Sequence, residues 1–458
     1  MTRRRKIAAG GAALAVAGLV AWWLLRPTAL ERALADLDAT DPGWRFADVW
    51  AARAADPPPA PHAVAAALAA LPMPAQFTAW QNAAEADPER SVWKRSAGEP
   101  WPPDPERRAA WRASAAAVAA GRLAADRPPG MTVAARPVDV FPTLLQHVQD
   151  ARTVGDMLAL DAVESAGRDV PGAVASIRAT LSIGRGVAAE PFFPCALVRR
   201  WLARRAADAT LRGLAAGEWP ADALARVQAE LAAEADPTLV TAALRDERAV
   251  LDQQLAAVAG WKAEVGSTLA VSGPTPRRLG LVGRTRYRLT VATDHLAALN
   301  EFNHLIAATR RPAHEWQAAV ADVPPPPDDE RHSVSHAAGT QARKMLVEQA
   351  VYHLAELRAA VLAVGCERFR LRDGRWPSSL AELPADLTPA DTTDPFTGQP
   401  LVLRRLADGL AVYGLGRDVV DDGGRLGPAL RTTEAKPGQD VGFRLWDVVA
   451  RGRPAAQP

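Results

Sequence analysis

Three acidic residues near the end of the chain, Asp418, Asp421 and Asp422, stand just before Gly423-Gly424. Carboxylate oxygens are hard donors for a divalent cation, and paired glycines let a backbone wrap tightly around one. A solvated acidic turn is the other reading of the same run. Further chemistry-bearing residues occur in looser patterns. His332 and His336 lie four apart, which places two imidazoles on one helix face. No Glu follows the first His, as a zinc-protease helix requires. His147 and Asp150, with Cys195 further on, have the residue types of a Cys–His–Asp relay, although a free Cys is more commonly a small buried hydrophobe. Cys366, between Val364 and Phe369, reads the same way. Gly414-Leu415-Gly416 lacks the third glycine and the helix of a dinucleotide site. The chain has no P-loop, no G-x-S-x-G and no paired-cysteine metal pattern. It is therefore read as non-enzymatic, with no catalytic residue and no organic cofactor assigned. A two-carboxylate hydrolase leaves no local signature and stays open.

Composition narrows the scaffold that must position these groups. Of 458 residues, 48% are hydrophobic and 23% charged, as in ordinary folded proteins. The 38 Pro and 32 Gly fall below the ~25–30% that marks a low-complexity chain. The 54 Lys and Arg against 52 Asp and Glu leave a net charge of +2. That balance argues against a nucleic-acid surface spread over the molecule. Two cysteines exclude a disulfide framework.

The amino end predicts a compartment. Arg3, Arg4, Arg5 and Lys6 precede an uncharged stretch from Ile7 to Leu25, closed by Arg26-Pro27. A spanning helix needs ~20 apolar residues, and its backbone satisfies itself in hydrocarbon. The basic cluster should stay cytoplasmic, so residues 1–27 are expected to be a basic tip and single-pass anchor. The bulk of the chain then lies on the extracytoplasmic side of the inner membrane, with Trp22 and Trp23 at the outer interface. A cleaved signal peptide and a buried core helix are the alternatives. A signal peptidase site wants small residues just after the apolar run, where Trp22-Trp23-Leu24-Leu25 stands instead.

Beyond the anchor the chain is Ala-rich with Leu and Val at helical spacing, and Ala rows let helices approach closely. Residues 28–130 read as a Pro-interrupted helical segment and 131–323 as a helical body. Asp41-Pro42, Asp56-Pro57, Asp87-Pro88, Asp104-Pro105 and Asp236-Pro237 read as helix starts and corners, because Asp caps a helix and Pro fits its first turn. Within 141–260, helices are expected to open at Pro171, at Pro191 or Pro194, at Pro220 and at Pro237. The third should turn Val198, Trp201 and Leu202 inward and Arg199, Arg200, Arg204 and Arg205 outward. Short connections make neighbours antiparallel, and the expected body is an irregular bundle or short α-solenoid. Residues 272–288 read as a basic, turn-rich insert. Residues 324–334, with four consecutive prolines, read as a linker, and one long helix is expected from about Ser335 to Arg372.

The texture changes after that helix. Leu401–Leu406 and Leu410–Leu415 flank Ala407-Asp408-Gly409, and Asp-Gly between apolar runs signals a hairpin. Three motifs occur in order: Phe369-Arg370-Leu371-Arg372-Asp373-Gly374-Arg375-Trp376-Pro377, then Asp394-Pro395-Phe396-Thr397-Gly398-Gln399-Pro400, then Gly414-Leu415-Gly416-Arg417-Asp418. In this order the stretch 345–447 resembles the globular head of the major, G-type pseudopilins of type II secretion. The whole chain resembles uncharacterised membrane-anchored bacterial envelope proteins that end in such a module. The resemblance implies a long helix on a small antiparallel sheet and a closing loop that binds structural calcium. Of the acidic residues only Asp418 matches the family's position; the family's acidic pair lies farther downstream than Asp421-Asp422. Two departures matter. Ile7–Leu25 contains no Glu, so the prepilin-peptidase pattern is missing, and the helical body is foreign to pseudopilins. A borrowed head is implied, not assembly into a pseudopilus.

The expected fold is thus mainly α: a transmembrane helix, the helical body, a long helix and head over 335–447, and a disordered tail over 448–458. The expected role is that of a membrane-anchored envelope protein for scaffolding, assembly or secretion. Its partners would be the membrane through residues 7–25 and other proteins or a second copy, and not nucleic acid. An extracytoplasmic hydrolase or small-ligand-binding protein, with its site between helices, is the alternative.

Overall fold

The computed structural model describes residues 28–54, 67, 74–86, 104–130, 145–259, 281–329, 331–344, 349–427 and 438–452. The expected anchor, residues 7–25, lies outside the described residues. Among those described, no helix is long and apolar enough to cross a membrane. The fold is mainly helical with one small antiparallel sheet.

Short helices come first, among them α1 (Ala29–Thr40), α2 (Phe46–Ala54), α3 (Ala75–Ala86), α4 (Pro105–Ala113) and α5 (Ala115–Arg122). Asp104 caps α4 as expected, accepting the N–H groups of Glu106 at 2.9 Å and Arg107 at 3.2 Å. Asp41 departs from expectation. It closes α1 instead of opening a helix, and its carboxylate holds Arg245 and Arg248. Asp56-Pro57 and Asp87-Pro88 lie outside the described residues.

The body is built from α6 (Leu145–Ser165), α7 (Val170–Val187), α8 (Phe193–Ala216), α9 (Ala221–Glu234) and α10 (Thr238–Ala259). Pro171 and Pro194 occupy the first turns of α7 and α8, and Pro220 and Pro237 directly precede α9 and α10. Helices α6, α7 and α8 each pack on the other two. Their approach is close: a Cβ on Gly155 would lie 2.2 Å from Leu202. Val154, Leu158, Ile177, Leu181 and Leu202 meet in this core.

The outward arginine face expected on α8 is corrected. Arg205 is buried, and its Nε donates to Asp156 at 2.8 Å; Trp201 donates to the same carboxylate oxygen at 3.0 Å. Arg204 is paired with Glu356. Further along α8, Arg212 pairs with Asp208 at 2.8 Å with both side chains buried. These arginines turn inward because carboxylates on other helices, or one turn away, meet them there. Hydrophobic spacing carries no trace of such pairs.

Helix α11 (Leu281–Thr309) packs on α10. Residues 281–288 are therefore the first turns of a helix and not a turn-rich insert; 272–280 lie outside the described residues. Then come α12 (Trp316–Ala321), α13 (Ser333–Lys344) and α14 (Val351–Asp373). The single helix expected over 335–372 is seen as helix on both sides of residues 345–348, which lie outside the described residues. The two parts pack on different partners: α13 on α11, and α14 on α8, α9 and the sheet. The proline run is fastened, since Pro326 is buried and its carbonyl meets the His336 ring at 2.8 Å.

Gly374, at φ +71°, ends α14 in the left-handed conformation that glycine adopts freely. Beyond it, β1 (Val402–Leu406), β2 (Gly409–Gly414) and β3 (Val441–Trp446) form an antiparallel sheet in the order β1-β2-β3. Leu406 pairs with Gly409, and Val412 pairs with both Leu403 and Phe443. The inner face of β2 and β3, carrying Leu410, Val412, Phe443 and Leu445, shares one core with Val361 and Val364 of α14 and with the body. A helix on a small antiparallel sheet is thus present, welded to the body through α14. The tail expected from 448 is ordered over its described residues, 448–452. Arg451 grips buried Glu367 of α14 with bonds of 2.8 and 2.7 Å, and Arg370 holds the same carboxylate.

Candidate functional site

The acidic loop follows β2. Asp418 accepts the Gly438 N–H at 3.0 Å. Asp421 is committed on both oxygens: one accepts from Tyr413 and from the Gly423 N–H, each at 2.9 Å, and the other from Arg404 at 2.9 Å. The Gly423 N–H, then Tyr413 and Arg404, hold Asp421 below the usual carboxylate range. One Asp422 carboxylate oxygen is buried without a hydrogen-bond partner. A fourth acid that sequence reading missed, Asp440 on the approach to β3, is buried and accepts the Gly424 N–H at 2.8 Å. Burial pushes it up to about 6, with Asp421 and Asp422 adding to the rise against its backbone hydrogen bonds. Among the described residues, no three His, Cys, Asp or Glu side chains are gathered as a metal-holding group. The donors fit a cation in part. Asp418 and the orphaned oxygen of Asp422 suit one, whereas Asp421 is an ion-pair partner.

The other chemistry-bearing residues have structural places. His147 meets buried Glu190 at 2.9 Å, and the Cys195 thiol approaches the same Glu190 oxygen at 3.9 Å. A carboxylate thus stands between imidazole and thiol. Burial, followed by Glu190, pushes the thiol well above its ordinary range, the reverse of nucleophile activation. Asp150 accepts from Gln146 at the surface. The Cys366 thiol is likewise raised by burial. His332 turns to Asp329 at 2.9 Å and His336 to the Pro326 carbonyl, so the two imidazoles share no ligand.

A concave feature at the junction of body and sheet was not foreseen. An open cleft of about 780 Å³ lies where the first turns of α10, the end of α11 and α14 meet the loop before β1. Pro237 sets the start of α10, so Thr238, Thr241 and Arg245 follow along one cleft wall. Thr241 donates to the Thr309 hydroxyl at 3.0 Å, tying α10 to the end of α11. Pro312 follows Arg310 and Arg311, so that helix stops with both arginines exposed at the cleft. The wall from the head is set by Asp394. Its carboxylate accepts the Phe396 and Leu415 N–H groups, each at 3.0 Å. A Cβ on Gly414 would stand 2.6 Å from this carboxylate, so glycine leaves room for it. Gly398, at φ +73°, accepts the His314 ring where a Cβ would stand 2.9 Å from it.

The cleft is electropositive. Arg245, Arg310, Arg311 and Arg358 line it, with Asp391 as the carboxylate in its wall. Arg358 of α14 is buried. It donates to the Thr393 carbonyl at 2.7 Å and pairs with Asp391 at 2.5 Å, while its Nε has no partner. Burial lowers the Arg358 pKa against the pull of Asp391 and Asp394. Arg245 is held by Asp41, outside the cleft lining. Among the described residues, Arg310 and Arg311 form no ion pair. Sequence reading had one usable signal here, two adjacent arginines before a proline. The other cationic and acidic residues come from elements far apart in the chain. Guanidiniums and hydroxyls in a cleft of this size are groups that bind.

Comparison of the chain with protein-family models, with curated proteins and with solved structures found no match.

Proposed function

We propose that this chain is a single-pass, membrane-anchored envelope protein of non-enzymatic type, whose body and head form one binding unit with its contact site at their junction. The cleft of about 780 Å³ carries this reading. Its walls come from the body and the head at once, and α14 locks those two parts in register. The anchor reading rests on Ile7–Leu25 and its basic flank, and the secretion-like character of the head rests on the three motifs in order. Calcium at Asp418 and Asp422 would brace the acidic loop by neutralising clustered carboxylates.

The test is a photo-crosslinking amino acid at Thr238, on the cleft rim, in the full-length protein expressed in its own cells. A membrane-fraction protein that yields a discrete adduct is the expected result. Recovery of the intact chain in the cytosol overturns the anchor, and a membrane-bound protein without an adduct overturns the contact site. A second reading, self-association through the head, is favoured by one observation. Val419 and Val420 are exposed side by side next to the acidic loop, and Val419 is held at φ +58°, a conformation costly for a β-branched residue. Analytical ultracentrifugation of the wild type and of Val420→Asp in detergent tests it, by loss of any dimer.

A further inference from the structure

The geometry points to a polyanion as the ligand of the junction cleft: a small molecule bearing two or more phosphate or carboxylate groups. This assignment rests on the cleft being a contact site and adds the chemistry of what it contacts. Three observations carry it. First, the lining carries unneutralised charge: Arg245 pairs with Asp41 and Arg358 with Asp391, which leaves Arg310 and Arg311 without a carboxylate among the described residues. In the interior, Arg205, Arg212 and Arg451 each lie against a buried carboxylate, whereas these two have none among the described residues. Second, the cations are graded by depth. Arg358 is buried with an unpartnered Nε, while Arg310 and Arg311 are exposed. An extended anion can therefore meet guanidinium groups at both levels, whereas a single chloride cannot. Third, the volume of about 780 Å³ falls in the range of small-molecule sites and is far larger than one oxyanion needs.

The α10 N-terminus adds little. The Thr238 N–H is already taken by Asp236 at 2.8 Å, so the attraction comes from side chains. Guanidinium forks recognise phosphate and carboxylate alike by paired N–H···O bonds. The two ligand chemistries are therefore separated by experiment.

The full-length protein, solubilised in detergent, is titrated by calorimetry with tripolyphosphate, with citrate and with the neutral sugar maltotriose, at low and at raised salt. Binding of at least one polyanion, weakened by salt and weakened roughly tenfold or more in Arg310→Gln/Arg311→Gln, is expected. Preference for tripolyphosphate assigns phosphate groups and preference for citrate assigns carboxylates. Three results overturn the inference: no binding of either polyanion, equal binding in the double variant, or tighter binding of maltotriose. The Thr238 crosslink separates this failure from failure of the contact site. An adduct that persists in Arg310→Gln/Arg311→Gln, with no polyanion bound, removes the anion and leaves the site. Absence of any adduct together with no polyanion bound removes the site itself.

Discussion

In the body interior, Arg205 lies against Asp156, Arg212 against Asp208 and Arg451 against Glu367, every partner buried. At the junction cleft, Arg310 and Arg311 stand exposed at the end of α11 with no carboxylate against them among the described residues. The same side chain serves two ends. An interior guanidinium costs several kcal/mol to desolvate, and a bonded carboxylate offsets that cost. Arg205–Asp156 and Arg451–Glu367 tie elements distant in sequence into one register, while Arg212–Asp208 lies within α8. A guanidinium at an open cleft keeps its hydration and needs no partner to persist. Its charge is free for something that arrives from outside. The balance of charge within each region, more than the number of arginines, separates structure from recognition here.

That contrast breaks most visibly if a paired interior charge proves dispensable. Glu367 is fully buried between Arg370 and Arg451. Burial alone would raise its pKa, but the two arginines hold it below its ordinary value. Glu367→Gln is expected to lose about 3–5 kcal/mol, read from urea unfolding of the detergent-solubilised chain. A change below about 1 kcal/mol would mean that the pair contributes little. The sign with pH follows. A depressed carboxylate gives stability that is fully present above its unfolded pKa and is lost as pH falls through the folded value. The wild type should therefore lose stability on acidification in a way Glu367→Gln does not.

Glu247 on α10 sharpens the contrast from the other side. It is buried with no cation as partner, and burial lifts its pKa from 4.5 to about 7. The Phe193 N–H opposes the rise and Asp246 adds to it. The unfolded chain releases this proton first. Stability therefore falls as pH rises from 4.5 to about 7, and the cost is fully present above that. Glu247→Gln should gain ~1–3 kcal/mol at pH 8 and nothing at pH 4, measured by the same urea curves. An equal effect at both pH values would assign Glu247 a packing role.

Much of the architecture was legible because it is local. Pro171, Pro194, Pro220 and Pro237 mark helix starts through missing N–H groups, and Asp408-Gly409 marks the hairpin through backbone geometry. Gly374 stops α14, and Asp394 shapes the loop after it. What was illegible is set by distance along the chain. The direction of Arg205 depends on Asp156, 49 residues earlier. The cleft joins Thr238, Arg310, Arg358 and Asp391, none within local reach of another. The acidic residues were visible as types. That Asp421 goes to Arg404, and that Asp440 joins the loop, required the sheet to exist first.

The calcium reading of the acidic loop tests a region between the two extremes, where carboxylates are partly paired. Asp421 has its arginine, while Asp422 has an orphaned oxygen. Millimolar calcium should raise the melting temperature by a few degrees over EDTA, since a ligand bound only to the native state adds ~1–3 kcal/mol at concentrations well above its Kd. The shift should vanish in Asp418→Ala. Equal melting temperatures with calcium and with EDTA would leave these acids as backbone caps.

The smallest effect is expected at the cleft itself, and its smallness is the point. Arg310 and Arg311 contact no carboxylate among the described residues, so Arg310→Gln/Arg311→Gln removes charge without orphaning a partner. Surface changes of this kind usually stay within ~0.5 kcal/mol, and relief of repulsion between neighbouring guanidiniums can make the sign favourable. Urea unfolding of the double variant should therefore overlay the wild type at low salt. A loss above about 1 kcal/mol would mean that the two arginines hold α11 in place. They would then belong with Arg205 and Arg451, and the division between paired structure and unpaired recognition would fail at the position where it matters most.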